Sequence, residues 1–277
     1  MFKFEQLFLF YTFLENSIGI FDSGLGGTSI FKEVHELLPN ENIIYLADSK
    51  NAPYGEKSPQ EIIDLSLKNT KLLLQKKCKL IIVACNTATT NAIHILRQKH
   101  SVPFIGIEPA IKPATLQTKN NKIGILATKG TLSSQLFSKT FKKYVNESIQ
   151  VTEIEGKKLV EAVESDLLNS TSFKSYFFQH IAAFKKQNID SLVLGCTHYP
   201  YLIPLINEFL PEVQIIDSGF AVAQQTKRVL QQNQLLNQVQ SSPKIQFYTN
   251  AQVEILSRLL SKHNSDFKQY KVDYLAF

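Results

Sequence analysis

Short runs of apolar residues recur along the chain and alternate with longer stretches in which apolar and polar residues are mixed. The runs are continuous in Ile, Val and Leu and do not alternate strictly with polar residues, which is typical of strands covered on both faces. We therefore predict a mainly parallel sheet. The predicted strands are 17–22, 42–48, 80–85, 103–107, 122–128, 191–196, 213–217 and 245–249.

The mixed stretches between these runs carry helix signals. Ser58 can cap a helix whose first turn contains Pro59, and Glu61 completes a capping box. Strands that alternate with helices in this way indicate βαβ units and an α/β fold. Two further helices are predicted over 28–38 and 155–168.

The two halves of the chain echo one another. The runs at 18–22 and 122–128 each close on polar, Gly-rich residues. A boundary near 108–120, with Pro109, Pro113 and the polar segment 118–122, is compatible with a linker. We therefore expect two related α/β domains. Because ligands of open α/β sheets bind beyond the carboxyl ends of the strands, the polar turns of both domains should face one cleft.

Composition and charge argue against nucleic acid as a binding partner and indicate a reducing compartment. The chain has 277 residues and a net charge of +6, which comes largely from Lys because Arg occurs only at positions 97, 228 and 258. Arg is preferred for phosphate and base contacts, so a solvated basic surface is favoured over nucleic-acid binding. Three cysteines in so long a chain do not form a disulfide framework, which favours a reduced, cytoplasmic protein.

Residues 1–16 are interpreted as an N-terminal extension. Their apolar run, Leu7 to Leu14, is too short to span a bilayer. Glu5 and Glu15 flank the run and no small-residue cleavage site follows, which argues against a secretion signal. We expect an added helix that packs on the protein body, or residues from an upstream start, and no membrane association.

A Gly-rich segment, FDSGLGGTS at 21–29, follows the first strand. Its glycines meet neither the G-x-G-x-x-G spacing of a dinucleotide site nor the G-x-x-x-x-G-K-[ST] spacing of a P-loop. A turn that brings main-chain amides close to a carboxylate or phosphate explains them. Asp22 and Ser23 would then point to a ligand; the structural alternative is a capped turn with a solvated Asp22.

Cys85 and Cys196 stand where two predicted strands end, and polar residues follow each of them. Asn86 and Thr87 offer donors and acceptors for the ammonium and carboxylate groups of an amino acid. His198 can favour a thiolate or relay a proton. Because a thiol on each side of a carbon can remove a proton from one face and return one to the other, the pair suggests stereochemical inversion.

Other cysteine chemistry fits the spacing less well. A phosphatase loop places Arg six residues after its Cys, where this chain has Asn91 and Leu202. A zinc site needs more ligands at close spacing, and a cysteine hydrolase would leave one thiol unexplained. Asp22 could act as the base of Cys85. Cys78 has no polar motif after it and is interpreted as a core residue.

The segment PYGEKS, 53–58, follows the strand that ends at Asp48. Pro53 and Gly55 favour a turn, which could present the Tyr54 hydroxyl and main-chain amides to a carboxylate. An ordinary loop is the alternative interpretation.

Six segments of the chain occur in a fixed order: IGIFDSGLGGTS, LADSKNAPYGEKS, IIVACNTATT, GILATKGT, LVEAVES and LVLGCTHYPYL. In this order they resemble segments of the glutamate racemases, which are cofactor-independent enzymes of bacterial cell-wall synthesis. The resemblance covers roughly residues 18–220 and implies two pseudo-symmetric, three-layer α/β domains with glutamate bound in the cleft between them. It implies that the enzyme uses neither a metal nor another cofactor. Members of the family are often homodimers. The implied division is 17–110 with 217–277 for the first domain and 111–216 for the second.

The resemblance also assigns roles. The thiol that matches Cys85 removes the α-proton from D-glutamate, the one that matches Cys196 removes it from L-glutamate, and each is the acid when the other is the base. Glu164 matches a carboxylate near the second thiol, and with Asp22 and His198 completes the catalytic set. The implied substrate contacts are Asp22, Ser23, Tyr54, Gly55, Asn86, Thr87, Thr128, Thr131, Thr197 and His198.

Two other functions stay open at this point. One is a racemase of the same superfamily acting on aspartate or another amino acid; His198 after Cys-Thr favours glutamate, but pocket size decides and the sequence does not give it. The other is a two-domain amino-acid binding module without catalysis, which would not need paired thiols.

Overall fold

The computed structural model describes residues 14–237, 242–263 and 270–277. Strands and helices alternate along the chain, as the apolar pattern predicts. The strands are β1 (Ile18–Asp22), β2 (Ile43–Ala47), β3 (Leu80–Val83), β4 (Phe104–Gly106), β5 (Lys122–Ala127), β6 (Gln150–Glu155), β7 (Ser191–Gly195), β8 (Gln214–Ile216), β9 (Ile245–Thr249) and β10 (Val272–Tyr274).

Helices connect these strands, and short 3-10 turns occur at Ser49–Asn51, Tyr54–Glu56 and Tyr199–Leu202. The helices are α1 (Thr28–Leu37), α2 (Pro59–Gln75), α3 (Asn86–Lys99), α4 (Ile111–Gln117), α5 (Lys129–Leu132), α6 (Gln135–Tyr144), α7 (Leu159–Glu164), α8 (Thr171–His180), α9 (Ala182–Gln187), α10 (Ile203–Phe209), α11 (Gly219–Gln232) and α12 (Val253–His263).

The strands form two sheets, and every pairing within them is parallel. The first sheet has the order β10-β9-β2-β1-β3-β4, and the second has the order β6-β5-β7-β8. The predicted α/β class with mainly parallel sheets is therefore confirmed. We propose the division into 17–110 with 217–277 and 111–216, because each sheet is built from strands of one of these parts.

Each sheet is covered by helices on both faces, which explains the continuous apolar runs. In β1, Ile20 packs into a cluster on one face of the sheet, whereas the next residue, Phe21, packs into a cluster on the other. In the second sheet, Ile125 and Leu126 likewise contribute to opposite faces. Both sheets are the middle layers of three-layer sandwiches.

The structure corrects the element prediction in the second half of the chain. The helix predicted over 155–168 is wrong: Glu155 ends β6, and only Leu159–Glu164 is helical. Lys158 before this helix and Asp166 after it have positive φ angles of 59° and 55°, so the chain turns at both ends. Strands β6 and β10 were not predicted, because neither contains a long apolar run.

Most of the N-terminal extension lies outside the described residues, including all but the last residue of the run Leu7–Leu14. Leu14 is buried, and its carbonyl accepts a hydrogen bond from the Lys79 ammonium, which also pairs with Glu41 at 2.6 Å. Within the described ranges, no helix combines the length and the apolar character needed to cross a membrane.

Candidate active site

The carboxyl ends of the two sheets face each other across a cleft. Cys85 follows β3 of the first sheet, and Cys196 follows β7 of the second. Both thiols line one small cavity, and they are only 5% and 8% exposed. The lining residues are Ser23, Pro53, Tyr54, Gly55, Cys85, Asn86, Thr87, Thr128, Val160, Cys196, Thr197 and His198.

Cys85 occupies the N-cap position of α3. Its Sγ accepts a hydrogen bond from the amide of Ala88 at 3.4 Å, and it donates to Ser23 Oγ at 3.6 Å. Burial, followed by the nearby carboxylate of Asp22, raises the pKa of the Cys85 thiol well above its ordinary value. A thiolate formed here is therefore a strong base.

Asp22 ends β1 and is fully buried behind the cavity wall. Its Oδ2 accepts hydrogen bonds from the amides of Gly24 and Gly27 at 3.1 and 3.0 Å, and its Oδ1 accepts one from the Thr197 hydroxyl at 3.3 Å. Burial raises the pKa of Asp22 to about 6, although His198 opposes this. Asp22 therefore connects the turn of the first sheet to the Cys-Thr motif of the second.

Cys196, His198 and Glu164 form a chain of contacts. Nδ1 of His198 lies 3.7 Å from Cys196 Sγ, and its Nε2 lies 2.6 Å from Glu164 Oε1. Burial would lower the pKa of His198, but the hydrogen bonds to Cys196 and Glu164 outweigh it and raise the pKa well above the usual range. A protonated imidazole beside a thiol stabilises the thiolate.

The Gly-rich turn packs directly against this chain of contacts. A Cβ at Gly24 would lie 2.0 Å from Glu164 Oε1, and one at Gly26 would lie 2.3 Å from His198 Nδ1. The amide of Leu25 donates to Glu164 at 2.6 Å. The amide of Gly26 lies 3.2 Å from His198 Nε2. Because this nitrogen donates its proton to Glu164 at 2.6 Å, it does not accept a hydrogen bond from Gly26. Close approach, and not a positive φ, requires these glycines.

The sequence prediction for this turn is thus corrected in one respect. We expected its amides to approach a ligand, but those of Gly24 and Gly27 hold Asp22, and that of Leu25 holds Glu164. The anions bound by the turn are the protein's own carboxylates.

The first turn of α3 presents polar groups that have no partner among the residues the structure describes. Within the described ranges, neither the Nδ2 nor the Oδ1 of Asn86 is hydrogen-bonded, although the side chain is buried. The main-chain amides of Asn86 and Thr87 also donate to no acceptor there. The Thr87 hydroxyl lies 2.9 Å from that of Thr128 across the cleft. Thr131 stands behind Thr128, 3.0 Å away, and does not line the cavity.

The main chain of the segment around Tyr54 forms part of the cavity wall. The expectation that the Tyr54 hydroxyl is offered to a ligand is wrong, because it donates to Asp48 Oδ2 and accepts from Asn69. In contrast, no acceptor in the described part of the chain takes the main-chain amide of Tyr54 or Gly55. Gly55 meets the second sheet's domain at Thr128, to which its Cβ would be 3.0 Å.

The structure thus brings the site residues named from the sequence to one cleft, in two tiers. Most line the cavity, whereas Asp22, Thr131 and Glu164 stand behind it. Sequence reasoning missed Val160 of α7, which lines the cavity, and the buried Asp48. Val160 lies within the LVEAVES segment, which is the only signal that could have found it.

Comparison with known proteins agrees with this geometry. A family model described as Asp/Glu/Hydantoin racemase matches residues 18–226. The chain belongs to this racemase family and is therefore an isomerase, which confirms the resemblance seen in the six segments.

Within the family, the chain is similar to glutamate racemases. It is 42% identical to the glutamate racemase of Herpetosiphon aurantiacus, over 85% of this chain and 93% of that protein. A crystal structure of a glutamate racemase isoform from Bacillus anthracis superposes with a TM-score of 0.84 at 31% identity, covering 95% and 98% of the two chains. A crystal structure of the glutamate racemase of Francisella tularensis in complex with D-glutamate superposes with a TM-score of 0.79 at 29% identity, covering 95% of this chain and 97% of that one.

Proposed function

We propose that the protein is a glutamate racemase that interconverts L- and D-glutamate by proton transfer between two cysteines, without a cofactor. One observation carries this proposal: two buried thiols from two different sheets line a single cavity. Because neither thiol pairs with the other or serves a metal cluster among the described residues, both are available for acid–base chemistry.

The polar groups of the cavity suit a substrate with two carboxylates. The amides of Asn86 and Thr87 begin a helix, where the helix dipole favours an anion. The amides of Tyr54 and Gly55 provide a second pair of donors in the same wall. The Asn86 side chain, which has no hydrogen-bond partner among the described residues, can serve an ammonium group as well. An acidic amino acid would satisfy these groups together.

In the direction from D- to L-glutamate, the Cys85 thiolate takes the α-proton. An S–H bond forms as the Cα–H bond breaks, and the electron pair stays on Cα, delocalised towards the α-carboxylate. The Cys196 thiol then donates its proton to the opposite face of Cα. Cys196 is left as a thiolate and is the base for the reverse reaction.

The α-hydrogen of an amino acid is a very weak acid, so the site must raise the strength of its base. Burial does this, because it raises the pKa of Cys85 and thereby the basicity of its thiolate. On the opposite side, protonated His198 stabilises the Cys196 thiolate, and Glu164 holds the imidazole in place. Amides directed at the substrate carboxylate stabilise the developing charge.

The direct test follows the optical rotation of L- or D-glutamate, together with deuterium incorporation at Cα in D₂O. We expect exchange with inversion in the absence of any added cofactor. Cys85→Ser and Cys196→Ser should each lower kcat by at least about a hundredfold. Cys78→Ser is the matched control, because Cys78 is buried in the core away from the cavity, and it should retain racemisation. Full activity in both site variants would refute the two-thiol mechanism.

The alternatives give distinct results in the same assay. An aspartate racemase would invert aspartate and leave glutamate unchanged, whereas a binding module would bind an amino acid without exchange at Cα. We further propose a cytoplasmic homodimer that supplies D-glutamate for peptidoglycan. A light-scattering mass of twice 31.4 kDa would support the dimer.

A further inference from the structure

A buried carboxylate that the proton transfers do not use lies beneath the Tyr54 segment. Asp48 follows β2 and is completely shielded from solvent. Its main-chain amide donates to the carbonyl of Asp22 at 3.1 Å, which fixes it to the end of the neighbouring strand. Within the described ranges, no Lys, Arg or His forms an ion pair with it.

Neutral donors from four separate segments satisfy this carboxylate. Oδ1 accepts from the side-chain amides of Asn51 at 2.7 Å and Asn250 at 2.5 Å. Oδ2 accepts from the Tyr54 hydroxyl at 2.5 Å and, at 3.4 Å, from the side-chain amide of Asn69. Burying a charge without a cation is costly unless its lone pairs are all used, and here they are.

A carboxylate accepts from every member of this set of donors. Asn250 is fixed in orientation, because its Oδ1 accepts from the amide of Lys50 at 2.9 Å, so its Nδ2 must point at Asp48. An asparagine at position 48 would present an NH₂ group either to Asn51 and Asn250 or to Tyr54 and Asn69. In the first orientation its NH₂ group would face two donors, and in the second the Tyr54 hydroxyl would have to accept and would lose its bond to a carboxylate.

The Tyr54 bond links this carboxylate to the substrate cavity. The Tyr54 ring is buried and its hydroxyl is held by Asp48, whereas the backbone of Tyr54 and Gly55 forms part of the cavity wall. The amides of both residues have no acceptor in the described part of the chain. Through Tyr54, Asp48 is therefore linked to the segment that carries these two donors.

We propose that Asp48 is a positioning residue for substrate binding. Its carboxylate holds Tyr54 so that the amides of Tyr54 and Gly55 are directed at a carboxylate of the bound amino acid. The kinetic test of this inference rests on the proposed function, because KM and kcat are measured from glutamate racemisation. Asp48 takes no part in the proton transfers, because its oxygens are occupied by protein donors and it does not line the cavity.

The test is steady-state racemisation in both directions by Asp48→Asn and Tyr54→Phe. We expect KM for both enantiomers to rise about tenfold in Asp48→Asn and about fivefold in Tyr54→Phe, with kcat within about threefold of the wild type, since a binding interaction equal in ground and transition states is lost. The enantiomers have equal free energy, so kcat/KM must fall equally in both directions.

Asn51→Ala is the matched control, because it removes a donor to the other oxygen of Asp48 and leaves Tyr54 in place. It should lower the melting temperature as Asp48→Asn does but keep KM within about twofold. KM unchanged in Tyr54→Phe would overturn the proposal, even if Asp48→Asn fails to fold. A large fall in kcat at constant KM in Asp48→Asn would also overturn it.

Calorimetric binding of D-glutamate separates this inference from the proposed function. If the wild type binds glutamate without racemising it, the proposed function fails, and the dissociation constants of the variants still test the positioning role. We expect about tenfold weaker binding in Asp48→Asn. Equal affinity of wild type and Asp48→Asn, or no binding by the wild type, would overturn the inference.

Discussion

Asp22 combines a structural and an electrostatic role. It is fully buried, and burial raises its pKa to about 6 from an ordinary value of 3.8. A carboxyl with a raised folded-state pKa binds its proton more tightly in the folded protein than in the unfolded one. Its stabilising contribution is therefore complete below pH 3.8 and is lost as the pH rises through about 6.

Asp22→Asn should consequently stabilise the protein at pH 8 and have little effect at pH 3.5. Asparagine keeps an oxygen for the amides of Gly24 and Gly27, and it removes the buried charge. From the pKa difference we expect a gain on the order of 2–3 kcal/mol in the free energy of unfolding at pH 8. Urea denaturation of both proteins at the two pH values measures it.

Activity should change in the opposite direction. Because the Asp22 carboxylate raises the basicity of the Cys85 thiolate, Asp22→Asn should racemise glutamate more slowly than the wild type at pH 8.

For the stability prediction, the contrary outcome is a difference in unfolding free energy between the two proteins that is the same at both pH values. The buried-charge explanation would then be wrong.

At this scale, the sequence predicts residues whose role is marked by a motif. Cys85 and Cys196 end apolar runs and are followed by polar residues, so both were found. Asp48 also follows a strand, but its partner Asn250 lies 202 residues away, and no local pattern announces the contact. The direction of the Tyr54 hydroxyl was mispredicted although its partners Asp48 and Asn69 lie only 6 and 15 residues away, because the fold and not a local motif brings them together.

Among the elements, α2 provides the scaffold for Asn69 and begins with the predicted capping box. The Ser58 hydroxyl accepts from the amide of Glu61 at 3.3 Å, and the Glu61 carboxylate accepts from the amide of Ser58 at 2.9 Å. Ser58→Ala should lower the free energy of unfolding by about 1 kcal/mol, because an amide of the first turn loses its acceptor.

Thermal or urea denaturation measures this loss, and Gln60→Ala is a suitable control. Gln60 lies in the same turn and forms an exposed contact with Asp64 at 3.0 Å, so its replacement should change stability by less than about 0.5 kcal/mol. Both variants should retain the wild-type KM. Equal stability of Ser58→Ala and the wild type would contradict the capping assignment.

Strands that are buried on both faces have continuous apolar runs and were predicted. Elements that lie at a sheet edge or are bounded by tight turns lack such a run and were not. The eight predicted strands occur within two residues of their expected ends. β6 pairs with β5 at the edge of its sheet, its residues are half-buried or exposed, and its sequence QVTEIE has no apolar run. The short α7 is bounded by turns at Lys158 and Asp166, which have positive φ angles, and Lys is not a residue type that favours this conformation.

At the scale of the whole molecule, the two sheets are joined across the cleft by hydrogen bonds that close the site. The amide of Leu25 reaches Glu164 at 2.6 Å, the Ser29 hydroxyl reaches the carbonyl of Thr197 at 3.1 Å, and Thr87 meets Thr128 at 2.9 Å. These contacts must separate to admit an amino acid, because both thiols are buried when they are formed.

The accessibility of the three cysteines tests this requirement. Iodoacetamide should modify Cys85 and Cys196 slowly, at a rate limited by opening of the cleft, and D-glutamate should slow both further because it occupies the cavity. Cys78 lies in the core of one domain, and burial raises its pKa to about 12, so it should stay unmodified in the folded protein. Peptide mass spectrometry over a time course measures the three rates separately. If Cys78 reacted as fast as the other two, labelling would report unfolding of the domain and not opening of the cleft; if D-glutamate protected neither Cys85 nor Cys196, the ligand would not lie between the thiols.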